Sequence, residues 1–353
     1  MRTAADAAHQ LAAAIGLVSA VRSLRDRRNA AELTKCLPRG LVLGAVEPTE
    51  TDVVVAHARG WDGADSVIVK LARTPSGARS LRRACDELAE LSADPRLDGW
   101  EVPRPQILGS GELGGLPYVV ESALSGVTIA TVLNRGEARA PVAALAMRAI
   151  DGMHRRSAEA VTVDPDLLDC WVDRPVQTME PLVAASPRRA AAIRGLRREL
   201  RARLEGRKLA AGWIHGDYVP SNVLIDPQTG RITGIVDWEL AGAPELPAID
   251  RVTFLLAAHM QTTRRQLGAV VAAVVNGDET TSLRRSLAHA MQADLDDRSL
   301  VLLCWLRHVA DLVTRSPRYA TDRAWKRHNV YQVLDALAGA RPRRVSTTSG
   351  STH

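Results

Sequence analysis

Three short runs of β-branched and apolar residues follow one another between Leu41 and Leu71: LVLGAV, DVVVAHA and SVIVKLA. Segments rich in turn-forming residues separate them, EPTET after the first run and RGWDGAD after the second. Runs of this length, interrupted by Gly, Pro, Asp and Thr, are typical of strands joined by tight connections. The pattern therefore predicts a small antiparallel sheet in the first part of the chain.

Helical spacing dominates most of the chain beyond these runs. Residues 76–91 place Leu81, Ala84, Leu88 and Leu91 on one side of a predicted helix. Two strand-like runs, RPQILGS and LPYVVES, then flank the turn GELGG. After Gly126 the sequence is typical of helices throughout, except for the runs NVLID and RITGIVDW on either side of a turn at residues 227–230. These two runs predict a hairpin inside a helical region.

This order of elements divides the chain into four parts. Residues 1–40 are predicted to form an N-terminal helical extension, because Leu11, Ile15, Val18 and Val21 make one apolar stripe. Residues 41–123 hold the sheet and one helix, and residues 124–340 form the larger helical region. Residues 341–353 are polar and rich in Ser and Thr, which predicts a disordered tail.

Composition excludes several classes of protein. Although the 353 residues carry a net charge of +6, arginines and acidic residues are interleaved, which argues against nucleic acid as the main partner. The apolar run at residues 11–21 is too short to cross a bilayer, so no membrane association is expected. The four cysteines are widely spaced, without a zinc-site pattern, as in a reduced cytoplasmic protein. We expect a monomer or a homodimer.

The segment HGDYVPSNVLID, residues 215–226, indicates catalysis. Asp217 and Asn222 are five residues apart, as are the base and the metal-binding Asn in the protein-kinase pattern H-R-D-x-x-x-x-N, with Gly216 here in place of Arg. Further on, Asp237 ends the apolar run in GIVDWE, where a carboxylate suits a divalent cation. These residues predict a phosphoryl-transfer site.

HGDYVPSNVLID followed by GIVDWELAGAPELPAID resembles the aminoglycoside phosphotransferase and choline kinase-like family, whose usual forms are HGDxxxxNxLxD and xIDWExAxxGxPxxDL. The resemblance is strong over residues 212–250 and looser before them. It implies an α+β, protein-kinase-like two-lobed fold, with a small antiparallel-sheet N-lobe and a larger, mostly helical C-lobe. It also implies that Asp217 is the catalytic base, that Asn222 and Asp237 hold Mg²⁺, that His215 braces the loop, and that Asp250 anchors the next helix.

The nucleotide side of the predicted site begins at Lys70. It ends the run VIVK, matches the third-strand lysine that contacts ATP phosphates in such kinases, and is one of only four lysines in the chain. Its partner should be a Glu on the next helix, where Glu87 fits better than Glu90 and Asp86 stays open. Taken one by one, these residues have ordinary structural readings, but their order and spacing favour a site.

Two further nucleotide contacts are expected from the resemblance. The segment GAVEPTETD lacks a G-x-G-x-x-G pattern, so a hydroxyl residue, Thr49 or Thr51, would serve in the phosphate-covering loop. Adenine is expected to bond to backbone groups of the interlobe segment, from Glu121 to Ala123.

The function expected is ATP- and Mg²⁺-dependent phosphorylation of a hydroxyl group on a small molecule, an antibiotic or a hydroxylated metabolite. One alternative is a protein or peptide kinase, which is disfavoured because no segment resembles an activation loop. The other is a catalytically silent, nucleotide-binding regulator.

The sequence defines the phosphate acceptor less well than it defines the nucleotide and metal sites. Residues 262–340 hold eleven Arg or Lys against eight Asp or Glu, a balance that does not favour a strongly cationic acceptor. An acidic group, Asp294, Asp296 and Asp297, suits either an amine contact or, with more weight, the N-terminal cap of a helix beginning near Arg298. Four further residues are candidates for a pocket but more commonly lie in a core or on a surface at this spacing: Trp305, Arg307, His308 and Trp325.

Overall fold

The structure, a computed structural model, describes residue 34 and residues 41–47, 52–60, 66–135, 139–290 and 295–339. Apart from Thr34, the predicted N-terminal extension and the predicted tail lie outside these residues. The described residues form two compact units: one contains residues up to Ala158 and Gly212–Pro244, the other Glu159–Ala211 and residues from Glu245 onward. The division at residue 123 stays a prediction.

The first unit contains the predicted sheet, which is antiparallel and has five strands in the order β1-β2-β3-β5-β4. Its strands are β1 Leu41–Glu47, β2 Val53–Gly60, β3 Ser66–Ala72, β4 Ile107–Leu113 and β5 Leu116–Ser122. Successive side chains of a strand point to opposite faces of the sheet. Val67, Val69 and Leu71 of β3 therefore share one face, where they pack with Val120 of β5. Lys70 is on the other face.

Helix α1, Pro75–Ala93, follows the third strand, close to the predicted bounds. Thr74 caps its N-terminus by accepting a hydrogen bond from the Gly77 amide at 3.1 Å. Leu81, Leu88 and Leu91 are buried, because they recur at helical spacing along one face.

The predicted hairpin is present in the same unit. Strands β9, Val223–Ile225, and β10, Ile232–Ile235, pair antiparallel, and a short strand β6, Val127–Thr128, lies beside β9. Two helices complete this unit, α2 Ile129–Asn134 and α3 Arg139–Ser157.

The sequence missed four strands: β6, described above, and β7 Glu159–Thr162, β8 Lys208–Ile214 and β11 Gly242–Glu245. The prediction that only one hairpin interrupts the helical region is therefore wrong. β7 pairs antiparallel with the first residues of β8, with Glu159 opposite Ala211. Residues 209–213, LAAGW, have weak strand propensity, so the pairing rather than the local sequence makes them extended.

The second unit is mostly helical, as expected. At its centre Trp305 is fully buried and its indole Nε1 donates to the Asn329 carbonyl at 2.7 Å. The described residues include no helix long and apolar enough to span a membrane. The helices of this unit are α4 Pro165–Leu168, α5 Arg174–Val183, α6 Pro187–Leu204, α7 Ala248–Thr263, α8 Leu267–Asn276, α9 Thr281–Ala290, α10 Asp297–Arg315, α11 Arg318–Thr321, α12 Arg323–Lys326 and α13 Gln332–Gly339, with π-helical turns at Asp169–Asp173 and Arg327–Tyr331.

Candidate active site

The loop with the predicted base joins β8 to β9. It begins directly after Ile214, which is fully buried, so its first residue, His215, is also buried. Gly216 has a φ of 80°, a left-handed conformation that a side chain with a β-carbon disfavours. This explains why Gly stands here between His and Asp.

His215 connects this loop to the strand that precedes Asp237. Its Nε2 lies 2.9 Å from the Val236 carbonyl oxygen, and its Nδ1 accepts a hydrogen bond from the Asp217 amide at 3.3 Å. Because a carbonyl has no proton to donate, these partners assign the Nε2–H tautomer to the ring. The ring also packs against Trp238, with 4.5 Å between the ring centroids. These contacts join the loop to the residues around Asp237, and the bracing role of His215 stays a prediction.

Asn222 and Asp237 are brought together by the hairpin. The Val236 amide donates to the Asn222 carbonyl at 2.9 Å. Asp237 directly follows Val236, so it lies next to this hydrogen bond. The Asn222 side-chain Nδ2 donates to the Asp217 carbonyl at 3.0 Å, while its Oδ1 makes a long 3.4 Å contact with the Ser221 hydroxyl. The amide nitrogen is thus used within the loop.

This donor set fits Mg²⁺. An amide oxygen and a carboxylate are ligands that Mg²⁺ accepts, and it usually completes its coordination with water and substrate phosphates. Among the described residues no group of three or more His, Cys, Asp or Glu is arranged to hold a metal ion. A cation at Asn222 and Asp237 would therefore depend on oxygen atoms from a bound nucleotide.

Lys70 lies beside this pair. Its Nζ is 3.1 Å from Asp237 Oδ1 and 3.2 Å from Glu121 Oε2, and the Lys70 side chain is 13% exposed. Burial alone would lower the pKa of Lys70, but the carboxylates of Asp237 and Glu121 raise it above its ordinary value. The amine is therefore charged at neutral pH, as a phosphate-binding lysine must be.

The prediction that Glu87 pairs with Lys70 is wrong. Glu87 instead pairs with Arg83 one helical turn away, with 3.4 Å between Oε1 and Nε. The partner is Glu121, whose side chain had no predicted role. The reason is strand pairing, which places Glu121 on the same face of the sheet as Lys70.

The expected adenine contact by residues 121–123 stays a prediction, but one of its donors is occupied. The Ala123 amide donates to the Ser66 carbonyl at 3.1 Å, which extends the pairing of β3 and β5. Adenine would have to use other backbone groups of this segment, or replace that bond.

The remaining predicted residues fall in different places. Thr49, Thr51 and Asp294 lie outside the described residues. Asp250 is fully buried in the first turn of α7.

The residues considered for the acceptor site lie in the second unit. Asp296 caps α10 by accepting a hydrogen bond from the Ser299 amide at 3.0 Å. The interpretation of this residue as a helix cap, which had more weight, is therefore confirmed. Trp305 is buried in the second unit, and Arg307 is half-buried there and pairs with Glu245 at 2.5 Å.

Two supports of the loop were not identified from the sequence. Tyr218 is fully buried and its hydroxyl donates to the Ala146 carbonyl in α3 at 2.7 Å. Trp213, two residues before His215, donates from Nε1 to Asp94 Oδ2 at 2.8 Å, just beyond the end of α1. The available signal was an aromatic residue on each side of the HGD segment, Trp213 and Tyr218. The sequence did not indicate the residues that they contact, Asp94 and Ala146.

Comparison with solved structures gives the class of the fold. The GDP complex of aminoglycoside 2'-phosphotransferase-IIIa has a TM-score of 0.54 at 16% identity, covering 89% of this chain and 98% of that chain. ADP-bound aminoglycoside phosphotransferase APH(2'')-Ib has a TM-score of 0.50 at 12% identity, covering 87% of this chain and 96% of that one. The fold is thus that of protein-kinase-like phosphotransferases, as predicted.

Comparison by sequence gives the family. The profile of the phosphotransferase enzyme family, APH, matches residues 54–288. This chain belongs to that family, and the resemblance stated from its motifs is confirmed. A comparison with curated protein sequences finds no match.

Proposed function

We propose that this protein transfers the γ-phosphoryl group of ATP to a hydroxyl group of a small molecule, an antibiotic or a hydroxylated metabolite. The observation that carries the proposal is the ion pair of Lys70 with Asp237, beside the loop of Asp217 and Asn222. A charged amine, a metal-binding pair and a further carboxylate are the groups that phosphoryl transfer uses. The GDP and ADP complexes of the similar structures support a nucleotide as the donor.

Binding would begin with the phosphates. Lys70 orients the α- and β-phosphates. Its amine exchanges the Asp237 carboxylate for phosphate oxygens, which are also negatively charged, so it keeps an anionic partner before and after nucleotide binding. Mg²⁺ held by Asn222 and Asp237 would neutralise charge on the phosphate oxygens. The left-handed backbone at Asp237, with a φ of 69°, fixes where its carboxylate points.

Asp217 would act as the base. The acceptor oxygen forms a bond to the γ-phosphorus while the bond from that phosphorus to the β–γ bridging oxygen breaks, and ADP leaves with the electron pair. The hydroxyl proton passes to the Asp217 carboxylate. The hydrogen bonds of Asp217's own backbone to His215 and Asn222 hold the residue in place, so positioning supplies much of the rate.

A small molecule is favoured over a peptide as the acceptor. Residues 238–247, which include the short strand β11, separate Asp237 from α7, and no longer segment intervenes there. A peptide acceptor usually rests on an activation segment, for which this connection is short. The surplus of Arg and Lys over acidic residues in residues 262–340 further favours an acceptor of low positive charge.

Phosphoryl transfer by the purified full-length protein tests the proposal. The protein is incubated with ATP or GTP, Mg²⁺ and a panel of hydroxylated compounds that includes aminoglycosides, uncharged antibiotics and sugars, and products are read by mass spectrometry. One added phosphoryl group on a compound, absent with Asp217→Asn, supports the proposal. Transfer only to a parallel peptide library supports a protein kinase, and nucleotide binding without transfer supports a silent regulator.

A further inference from the structure

The sheet places a carboxylate beside Lys70 without help from α1. In the pairing of β3 with β5, Lys70 is opposite Val119 and Ile68 is opposite Glu121. Lys70 and Glu121 are therefore diagonal neighbours on one face, a separation that long side chains span. The 3.2 Å contact of their charged atoms follows from this register, and the Glu121 side chain is 9% exposed.

Helix α1 does not offer Lys70 a carboxylate. Glu87 is engaged with Arg83, and Asp86 and Glu90 are exposed. Cys85 of α1 is half-buried: burial first, and then the charges of Glu121 and Asp86, raise the pKa of its thiol, while Lys70 acts in the opposite direction.

We propose that Glu121 is the positioning residue for Lys70, so that the amine that contacts the nucleotide is held by the sheet itself and not by α1. This inference rests on the proposed function and deepens it. Both residues belong to adjacent hydrogen-bonded strands, and sites built on such elements are held more precisely than sites on loops. The position of α1 would then not control whether the nucleotide site is assembled.

The reactivity of Lys70 tests the pairing without any turnover. The full-length protein has four lysines, so acylation of Lys70 by an amine-directed reagent at one fixed pH is resolved by peptide mass spectrometry. We expect Glu121→Gln to raise the acylation rate of Lys70 about tenfold, because one charge-assisted hydrogen bond is lost. Glu87→Gln should leave the rate unchanged, as should the control Glu112→Gln, an exposed glutamate on β4.

Kinetics then separate positioning from a merely structural role. Glu121→Gln should raise KM for ATP and lower kcat, reducing kcat/KM about tenfold to a hundredfold, with an unchanged unfolding midpoint. If Glu121→Gln does not fold, Glu121→Asp, one methylene shorter, provides the same comparison.

The reverse pattern overturns the inference: faster acylation of Lys70 in Glu87→Gln, with no effect of either Glu121 variant. Failure of the proposed function looks different. In that case the unmodified protein neither binds nucleotide nor transfers phosphate, while the acylation rates still decide which carboxylate holds Lys70.

Discussion

Asp237 combines three structural features. Its φ of 69° lies in the left-handed region, its carboxylate pairs with Lys70, and its side chain is 48% exposed despite that ion pair. Asp tolerates this backbone conformation better than most residues, but it still costs free energy. Strain of this kind persists where the surrounding structure enforces it and is common at functional sites.

At the same scale, replacing the predicted base should abolish transfer without unfolding the protein. Asp217→Asn keeps the shape of the side chain and the backbone bonds to His215 and Asn222, but the amide cannot accept the hydroxyl proton. We expect kcat to fall about 100-fold to 10,000-fold, with nucleotide affinity and the unfolding midpoint nearly unchanged.

Asp226→Asn provides the matched control. Asp226 accepts from the Gln228 amide at 2.8 Å in an exposed turn of the same hairpin, and Asn supports that turn equally well. This variant should transfer phosphate at the normal rate. If both variants lose activity equally, the effect of Asp217→Asn is not specific to the base.

At the scale of elements, the sequence predicted those that have a local signal. The strands of the N-terminal sheet, helix α1 and the β9–β10 hairpin each carry their own periodicity or turn residues, and all are present. The loop of His215, Asp217 and Asn222 was singled out because its spacing matches that of a phosphoryl-transfer site. Hydrogen bonds link these three residues, and their catalytic role stays a prediction.

What the sequence could not supply is register. The choice of Glu87 as the partner of Lys70 followed the order of elements along the chain, whereas Glu121 is adjacent only through the pairing of β3 with β5. A shift of that pairing by one residue would turn Glu121 to the other face. β8 was missed for a related reason, because its partner strand is remote in the sequence.

Gly126, directly before β6, should be one of the least replaceable residues near the hairpin. It has a φ of 114°, and a β-carbon there would lie 2.9 Å from the Ile225 carbonyl oxygen. Gly126→Ala adds this clash to the cost of the backbone conformation, so we expect a loss of stability of roughly 2–4 kcal/mol. Chemical denaturation measures it.

Gly230 is the comparison, because its φ of 68° is also positive but a β-carbon there meets no atom within 4 Å. Gly230→Ala should cost about 1 kcal/mol, the conformational part alone. Equal losses for the two variants would show that the close contact of Gly126 with Ile225 has no energetic weight.

Asp94 links the end of α1 to the strand before the catalytic loop, and this link should depend on pH. Hydrogen bonds from Arg96, with another from Trp213, outweigh burial and hold the pKa of Asp94 well below its usual range. Since this pKa is lower in the folded than in the unfolded chain, the stabilisation is complete above about pH 4 and declines as the pH falls further.

Asp94→Asn isolates this contribution. At pH 7 we expect it to lower the free energy of unfolding by roughly 1–3 kcal/mol, because the charge-assisted bonds from Arg96 are lost. The difference from the unmodified protein should shrink as the pH falls from about 4 to about 2, and urea unfolding at each pH measures it. A difference that stays constant with pH would assign the effect to packing instead of charge.

At the scale of the whole molecule, the residues proposed to bind nucleotide and metal all lie in the first unit: Lys70, Glu121, Asn222 and Asp237. A nucleotide that binds the folded protein and not the unfolded chain stabilises it by mass action, by about 2.7 kcal/mol at a concentration of one hundred times Kd. Because the protein has two units, the quantity to follow is the lowest-temperature transition and not a single two-state midpoint.

We therefore expect ATP with Mg²⁺ to raise the midpoint of that transition by several degrees, and removal of Mg²⁺ with EDTA to reverse most of the rise. Asp237→Asn should lose the Mg²⁺-dependent part, because an amide binds the cation more weakly than a carboxylate does. Asp217→Asn should retain the full shift, since that residue is proposed to act on the acceptor. Differential scanning fluorimetry with ATP and with GTP measures the shift in the unmodified protein and in the two variants. If neither nucleotide shifts the midpoint of the unmodified protein, the proposed nucleotide site is contradicted, whatever the acceptor.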